Sequence, residues 1–208
     1  MSSEPVVFLP GMMCDARLFA PQLDALGGRV IVSVDHDTIA GMAEDILQQA
    51  PKTFALAGLS MGGIIAMEVL RQAPERVAKI AFMDTNPKAE NPAVAANREP
   101  QIAKVLAGQL ASLMRDEMKP NYLSDGPNRA AILDTCMDMA NTLGPTAFVN
   151  QSRALQSRPD QQDTLRKARC PALVLCGRDD TLCPVHRHTL MHDLMPHSDL
   201  QIIESAGH

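Results

Sequence analysis

The chain has 208 residues, of which 46% are hydrophobic and 21% are charged, and its formal net charge is −5. This length and composition are typical of one folded domain with a sizeable core, not of a disordered protein. The negative charge argues against nucleic acid as a partner, because phosphates would be repelled without a concentrated basic face. The five cysteines form no C-x-x-C pair and no secretory signal is evident, so we expect reduced thiols in the cytoplasm.

Short apolar runs alternate with amphipathic segments over the first 84 residues and again near the end. The patterns predict strands at 6–9, 30–34, 54–57, 77–83, 172–176 and 200–203. They predict helices at 18–26, 39–50, 60–73 and 185–195. Strands that are apolar on both faces and alternate with helices are typical of a parallel sheet covered on both sides. We therefore predict an α/β fold with a mostly parallel central sheet flanked by helices.

A membrane span is the alternative interpretation of residues 54–70, which are nearly apolar enough for one. This stretch contains Ser60, Glu68 and three glycines, and it divides into a strand, a turn and a helix. A membrane helix needs about 20 predominantly apolar residues in one continuous helix. We therefore expect no membrane span.

The alternation of strand and helix stops between Asn86 and Ala168. Apolar residues recur there at helical spacing, which predicts helical stretches over 102–114, 132–140 and 148–155. Residues 86–169 hold eleven Lys/Arg against nine Asp/Glu, a net charge of +2, whereas the rest of the chain carries −7. A linker would have no amphipathic stripes, so we expect a helical lid insertion. The predicted organisation is a first core part at 1–85, a lid at 86–168 and a second core part at 169–208.

The pentapeptide Gly58-Leu59-Ser60-Met61-Gly62 lies between a predicted strand and a predicted helix. A serine hydroxyl must be exposed and activated by a base to act as a nucleophile. A sharp strand-to-helix turn exposes it, and glycines are needed on both sides because side chains there would collide with the neighbouring strand and helix. A glycine-rich packing turn is the alternative interpretation. A phosphate-binding loop is excluded, because no Gly-Lys-Ser/Thr follows.

With this motif and its context, the sequence resembles the α/β-hydrolase superfamily, in the branch of small esterase-like serine hydrolases with a helical lid. The resemblance covers essentially the whole chain. Family members carry a triad in the order Ser, acid, His. The stretch 177–184, Gly-Arg-Asp-Asp-Thr-Leu-Cys-Pro, follows a late strand and implies that Asp180 is the acid. Asp179 and Asp84 are the rival candidates.

The resemblance also implies the base and the oxyanion donors. Ser205-Ala206-Gly207-His208 follows the last predicted strand, which implies that His208 is the base. Because family members continue into a further helix behind this loop, weakened activity of a chain that ends at His208 is one expectation. The implied oxyanion donors are the backbone N–H groups of Met61 and Met12. Met12 follows Pro10-Gly11, where family members often carry His-Gly.

Three other features have modest interpretations. His188 and His192 stand four apart on a predicted helix, a spacing that permits a metal site, but we expect a solvated helix face. Cys14 lies just beyond the oxyanion loop and is a candidate to approach the pocket, although a small buried side chain is the default expectation. Arg153 and Arg158 in the predicted lid are candidates for contact with an anionic substrate group, although surface charge is the default expectation.

The resemblance implies a hydrolase that cleaves a carboxylic ester through an acyl-enzyme intermediate on Ser60, with His208 as base and Asp180 as its partner. The expected partner is a small-molecule ester or related acyl compound, and no metal or organic cofactor is required. The oligomeric state is left open. Carbon–carbon bond hydrolases, thioesterases and perhydrolases share this triad and remain alternatives. A non-catalytic ligand receptor on the same fold is the alternative of a different class.

Overall fold

The computed structural model describes residues 4–208 of the chain. One parallel sheet has the strand order β2-β1-β3-β4-β5-β6. Its strands are β1 Val6–Leu9, β2 Arg29–Val30, β3 Phe54–Leu59, β4 Val77–Met83, β5 Ala172–Gly177 and β6 Asp199–Ile203. The predicted α/β fold with a mostly parallel central sheet is therefore confirmed.

Helices flank this sheet and fill the long connection between β4 and β5. They are α1 Ala20–Leu26, α2 Ile39–Gln49, α3 Met61–Gln72, α4 Pro92–Leu106, α5 Leu110–Leu113, α6 Arg129–Gln156, α7 Gln162–Lys167 and α8 Val185–Leu194. Side-chain caps mark the first residues of α2 and α4: the side chain of Thr38 accepts from the N–H of Gly41 at 3.1 Å, and that of Asn91 accepts from the N–H of Ala93 at 2.9 Å. Such caps satisfy N–H groups that have no partner within the helix. No helix within residues 4–208 is long and apolar enough to cross a membrane.

The second strand is shorter than its sequence pattern predicts. Only Arg29–Val30 forms the strand, although residues 30–34 are apolar enough to continue it. The N–H of Ile31 still donates to the carbonyl of Phe8 at 3.0 Å, but the carbonyl of Val34 accepts from the side chain of Asn150 in α6 at 2.8 Å. The segment therefore leaves the sheet after Ile31, and α6 provides a hydrogen-bond partner for its backbone at Val34 in place of a neighbouring strand.

The long connection between β4 and β5 is helical, as its apolar spacing predicts. Two of its prolines lie inside helices: Pro100 in α4 and Pro145 in α6. Pro145 follows an interruption of α6 at Gly144, whose φ of 78° is outside the helical region. The predicted stretches 132–140 and 148–155 therefore fall on the two sides of one kinked helix. The division of the chain into two core parts and a lid stays a prediction.

The hydrophobic core places α3 directly against the sheet. Met61 and the nine residues that follow it are all buried, because this helix packs between β3, β4 and α2. Even Glu68 is only 1% exposed; its carboxylate accepts hydrogen bonds from Arg71, Gln72 and Gln161. Close packing of this kind fixes the start of α3, and with it the turn that carries Ser60.

Candidate active site

Ser60 lies at the sharp turn between β3 and α3. Its backbone has φ 54° and ψ −116°, a conformation that costs an ordinary residue on the order of 1–3 kcal/mol. Two hydrogen bonds hold it there: the N–H of Ser60 donates to the carbonyl of Met83 at 2.8 Å, and the hydroxyl of Thr85 donates to the carbonyl of Ser60 at 2.7 Å. The end of β4 therefore fixes this turn.

The glycines on either side of Ser60 are required by close backbone contacts. A Cβ at Gly58 would overlap the carbonyl oxygen of Gly62, and a Cβ at Gly62 would overlap the carbonyl oxygen of Leu9. Backbone atoms in a sheet and a buried helix cannot move aside as a side chain can. The steric reason predicted for the glycines of this motif is confirmed.

The structure brings Ser60, His208 and Asp180 together in one chain of hydrogen bonds. Nε2 of His208 lies 2.7 Å from Oγ of Ser60, and Nδ1 of His208 lies 2.8 Å from Oδ2 of Asp180. Because an ionised carboxylate only accepts, Nδ1 carries the proton, and Nε2 of a neutral ring is left to accept from the serine hydroxyl. This arrangement has the connectivity of a Ser-His-Asp triad.

Asp180 is oriented by the loop that follows β5. Its Oδ1 accepts from the N–H groups of Leu182 at 2.7 Å and Cys183 at 2.8 Å, which leaves Oδ2 for His208. Burial by itself would raise the pKa of Asp180, but the hydrogen bond and charge of His208 and these two N–H groups outweigh it and lower the pKa. The carboxylate is therefore stabilised in its ionised form.

The two rival acids have other hydrogen-bond partners. The side chain of Asp179 is exposed, and its backbone N–H donates to the carbonyl of Ala206 at 2.8 Å. Asp84 is buried at the end of β4 with φ 44°, and its Oδ1 accepts from the N–H of Gly177 at 2.9 Å. The pKa of Asp84 is raised to about 7, chiefly by burial and also by the neighbouring Asp180, against the opposing effects of the Gly177 N–H group and of His208. Asp180 alone of the three has a carboxylate oxygen hydrogen-bonded to His208.

The segment that carries His208 is held by residues between α5 and α6. The N–H of His208 donates to the carbonyl of Tyr122 at 2.7 Å, and the hydroxyl of Ser124 donates to the carbonyl of Ser205 at 2.9 Å. The Tyr122 and His208 rings also meet edge-on, with centroids 5.9 Å apart. Sequence reasoning missed both supporting residues, because neither belongs to a motif or to an amphipathic stripe.

The two predicted oxyanion donors line the same cavity as Ser60. Within residues 4–208, the backbone N–H groups of Met12 and Met61 donate to no other protein group. The loop beside Met12 is held from the insertion: the N–H of Met13, at φ 58°, donates to Oε1 of buried Gln151 at 2.9 Å. Sequence reasoning did not single out Gln151, which lies in the middle of a helix pattern.

His188 is buried, so the expectation of a solvated helix face is wrong for this residue. Its Nε2 accepts from the N–H of Thr85 at 3.0 Å, and burial lowers its pKa to about 4. Because Thr85 also donates to Ser60, this neutral imidazole supports the turn that carries the serine. His192 instead contacts the hydroxyl of Ser198 at 2.9 Å.

Comparison with known proteins agrees with this fold. The profile described as "Alpha/beta hydrolase family" matches residues 6–208, nearly the whole chain. The chain belongs to the alpha/beta hydrolase family. The motif-based resemblance is therefore confirmed at the level of the family.

Relatives of this alpha/beta hydrolase include esterases. It is 25% identical over 191 residues to the pimeloyl-[acyl-carrier protein] methyl ester esterase of Aliivibrio fischeri, covering 85% of this chain and 69% of that protein. It is also 25% identical over 239 residues to the biotin biosynthesis bifunctional protein BioHC of Teredinibacter turnerae, where 98% of this chain spans 41% of the relative. A thermophilic esterase from Thermogutta terrifontis, solved with malate bound, superposes with a TM-score of 0.89 at 25% identity, over 100% of this chain and 83% of that one.

A cavity of about 860 Å³ opens beside Ser60 and His208 in this alpha/beta hydrolase. Cys14 contributes to its wall and is 5% exposed, so the expectation of a small buried side chain is confirmed. Much of the remaining wall comes from the helical segment between β4 and β5. Arg158 in that wall has a side chain only 9% exposed, and the default expectation of surface charge is wrong for it. Arg153 is 41% exposed and pairs with Glu99.

A metal site does not fit the histidine and cysteine groups near the cavity. Ligand atoms of Asp180, Cys183 and His208 lie within 4.8 Å of one another. However, Asp180 and His208 already bind each other, and burial raises the pKa of Cys183 to about 12, which disfavours the thiolate that a metal would need. His188 and His192, whose spacing permits a metal site, are equally unsuitable, since Nε2 of His188 already accepts from the N–H of Thr85.

Proposed function

We propose that this alpha/beta hydrolase is a serine esterase that cleaves carboxylic esters through an acyl-enzyme intermediate. Ser60 is the nucleophile, His208 the base and Asp180 the acid. The observation that supports this best is the unbroken hydrogen-bond chain from Asp180 through His208 to Ser60, with distances of 2.8 and 2.7 Å. The second of these distances lies within the reach that a general base needs to accept the serine proton.

In the proposed first half-reaction, Oγ of Ser60 attacks the ester carbonyl while Nε2 of His208 takes its proton. The N–H groups of Met12 and Met61 then donate to the developing oxyanion. Both groups are free of other protein partners within residues 4–208, and one such donor is worth about 10²–10³ in kcat. Asp180 stabilises the imidazolium that forms, because its carboxylate is ionised and accepts from Nδ1.

The protonated His208 next gives its proton to the departing alcohol oxygen, which leaves Ser60 acylated. A water molecule that loses a proton to His208 then attacks the acyl group, and Ser60 recovers its proton as the acid is released. Each proton passes through Nε2 of His208, and no metal or organic cofactor takes part. The order of steps is the one that a Ser-His-Asp arrangement performs on acyl substrates.

The relatives support an ester as the substrate class. One is named a methyl ester esterase and another a thermophilic esterase, and this chain shares 25% identity with each. We further propose that segment 86–168 acts as a lid, since its residues form much of the cavity wall and so meet the substrate. The proposed setting is the cytoplasm, which would keep the five free cysteines reduced.

Turnover of short-chain p-nitrophenyl esters tests this proposal, together with labelling by a fluorophosphonate probe. Ser60→Ala is expected to abolish both, whereas Ser157→Ala, at an exposed serine in the same protein, keeps both. Full ester turnover by Ser60→Ala would overturn the mechanism. Absence of labelling combined with tight ligand binding would indicate a receptor, and labelling without ester turnover would indicate a different acyl substrate.

A further inference from the structure

Three charged side chains form a compact cluster in the wall of the cavity. Nε and Nη2 of Arg98 donate to Oε2 of Glu90 at 3.0 and 2.6 Å, and Nη2 of Arg158 lies 2.9 Å from Oε1 of Glu90. One carboxylate therefore sits between two guanidinium groups. Arg98 belongs to α4 and Arg158 follows α6, so the cluster joins separate parts of the helical segment.

This cluster is buried and is not electrically balanced. The side chains are 13%, 5% and 9% exposed for Arg98, Glu90 and Arg158, respectively. Glu90 neutralises one of the two guanidinium groups, and burial lowers the pKa of Arg158. Within residues 4–208, Nε of Arg158 has no hydrogen-bond partner. A buried charge without full compensation is costly, so a further anion near Arg158 would stabilise it.

The excess of positive charge extends to the whole cavity wall. Its basic residues outnumber its acidic ones by four to two, although the chain as a whole carries −5. These residues are Lys88, Arg98, Arg158 and Arg187 against Glu90 and Glu117. The same wall includes Ser60 and His208, so an anion drawn to this charge would lie in the space where the proposed reaction takes place.

We propose that the ester substrate carries a carboxylate group, which Arg158 binds with support from Arg98 while the ester carbonyl lies at Ser60. This inference rests on the proposed esterase function and names its substrate class. Guanidinium groups bind carboxylates through paired charge-assisted hydrogen bonds, as Arg98 already does with Glu90. The surplus of one positive charge in the cluster matches a monoanion, whereas a phosphate dianion would leave the cluster negative.

The carboxylate can lie on the acyl part or on the alcohol part of the ester, and two matched substrate pairs distinguish these. For the acyl part, mono-4-nitrophenyl adipate is compared with 4-nitrophenyl adipamate, in which a neutral amide replaces the carboxylate. For the alcohol part, 4-acetoxybenzoate is compared with 4-acetoxybenzamide. In at least one pair, kcat/KM for the anionic ester is expected to exceed that for the amide by about tenfold or more.

Arg158→Met removes the charge and keeps most of the side-chain length. The preference for the anionic ester is expected to fall by about 10- to 100-fold, mainly through KM, because the charge-assisted contact is made before the reaction begins. Arg153→Met is the matched control, since Arg153 is exposed in the same segment, and its preference should equal that of the wild type. Glu90→Gln frees the second guanidinium and is expected to increase the preference, which a merely damaged fold would not do.

Direct binding separates failure of this inference from failure of the esterase proposal. Monomethyl adipate, a monoanion, and 4-acetoxybenzoate are titrated calorimetrically into Ser60→Ala and into the Ser60→Ala/Arg158→Met double variant. Binding to the first and loss in the second would support the carboxylate site even if no ester were turned over. The inference is overturned if neither compound binds Ser60→Ala, or if Arg158→Met lowers kcat/KM equally for the anionic and neutral members of each pair.

Discussion

The carbonyl oxygen of Tyr122 accepts a hydrogen bond from the backbone N–H of His208 at 2.7 Å, so the helical segment and the proposed base are joined directly. Ser124 adds a second hydrogen bond, to the carbonyl of Ser205 at 2.9 Å. The loop after β5 also holds this segment, since the N–H of Asp179 donates to the carbonyl of Ala206 at 2.8 Å, and the connection between α5 and α6 adds the contacts of Tyr122 and Ser124. Changes in the connection should therefore alter the position of the imidazole.

Gly207→Ala tests this contact between loops. A Cβ at Gly207 would lie 2.6 Å from the backbone nitrogen of Ser124 and 2.9 Å from the carbonyl oxygen of Tyr122, so one of the two loops must move. We expect kcat for a p-nitrophenyl ester to fall by about tenfold or more, since catalytic geometry tolerates displacements of well under 1 Å. Gly126→Ala is the matched control, because a Cβ there meets nothing within 4 Å. Equal kcat values in the two variants would contradict the role given to this contact.

Asp180→Asn tests the assignment of the acid. The amide would still accept from Leu182 and Cys183, but it would favour the wrong tautomer of His208 and would not stabilise the imidazolium. We expect kcat to fall by about 10²–10⁴. Asp179→Asn changes the exposed neighbour by the same single group, and its kcat should stay within about threefold of the wild type. A larger loss in Asp179→Asn than in Asp180→Asn would reverse the assignment.

Gln151→Met tests the support of the loop that carries Met12. The substitution removes the acceptor at 2.9 Å from the N–H of Met13 and leaves that buried donor unpaired, at a cost of about 1–3 kcal/mol in the free energy of unfolding. Because the neighbouring N–H of Met12 is a proposed oxyanion donor, kcat should fall more than KM changes. Gln49→Met, at an exposed glutamine on α2, controls for the substitution itself. A loss of stability with an unchanged kcat would limit Gln151 to a structural role.

The elements of the sheet could be predicted because they follow from local patterns. The strands at Val6–Leu9 and Val77–Met83 have the predicted bounds, and α3 begins one residue after its predicted start. Each is an apolar run bounded by a residue that disfavours its continuation. The predicted length of the strand at 30–34 was wrong, because that length depends on Asn150, which is more than 100 residues away in the chain. No local pattern contains that contact.

The residues of the candidate site also fall into those that a sequence motif indicates and those whose role depends on tertiary contacts. Ser60 could be predicted because the glycines beside it are a steric requirement of the turn. Asp180 and His208 follow late strands of the sheet, but it is the resemblance to the family that implies their roles. Gln151 could not be predicted, because its importance comes from a tertiary contact alone. Arg158 could be named only as one of two candidates with Arg153, because its burial and its pairing with Glu90 are tertiary features. An arginine in an amphipathic segment is usually exposed, and only the folded helical segment shows that Arg158 is buried.

Asp84→Asn is expected to change how stability depends on pH. Burial raises the pKa of Asp84 to about 7 in the folded protein, whereas an unfolded aspartate titrates near 3.9. Between these values the folded state holds a proton that the unfolded state releases, so the wild type loses stability as pH rises from about 4 to about 7. An asparagine is neutral throughout this pH range and still offers an oxygen to the N–H of Gly177. The variant is therefore expected not to lose stability in this way as pH rises.

The measurement that checks this is urea unfolding of wild type and Asp84→Asn at a series of pH values from 4 to 8. The free-energy difference, variant minus wild type, should rise across this window and level off above about pH 7. Asp180 is present in both proteins, so its lowered pKa enters the difference only through its interaction with Asp84. Asp179→Asn, at an exposed position, controls for the change from carboxylate to amide. A difference that stays constant or falls as pH rises would show that Asp84 is ionised in the folded protein throughout this range.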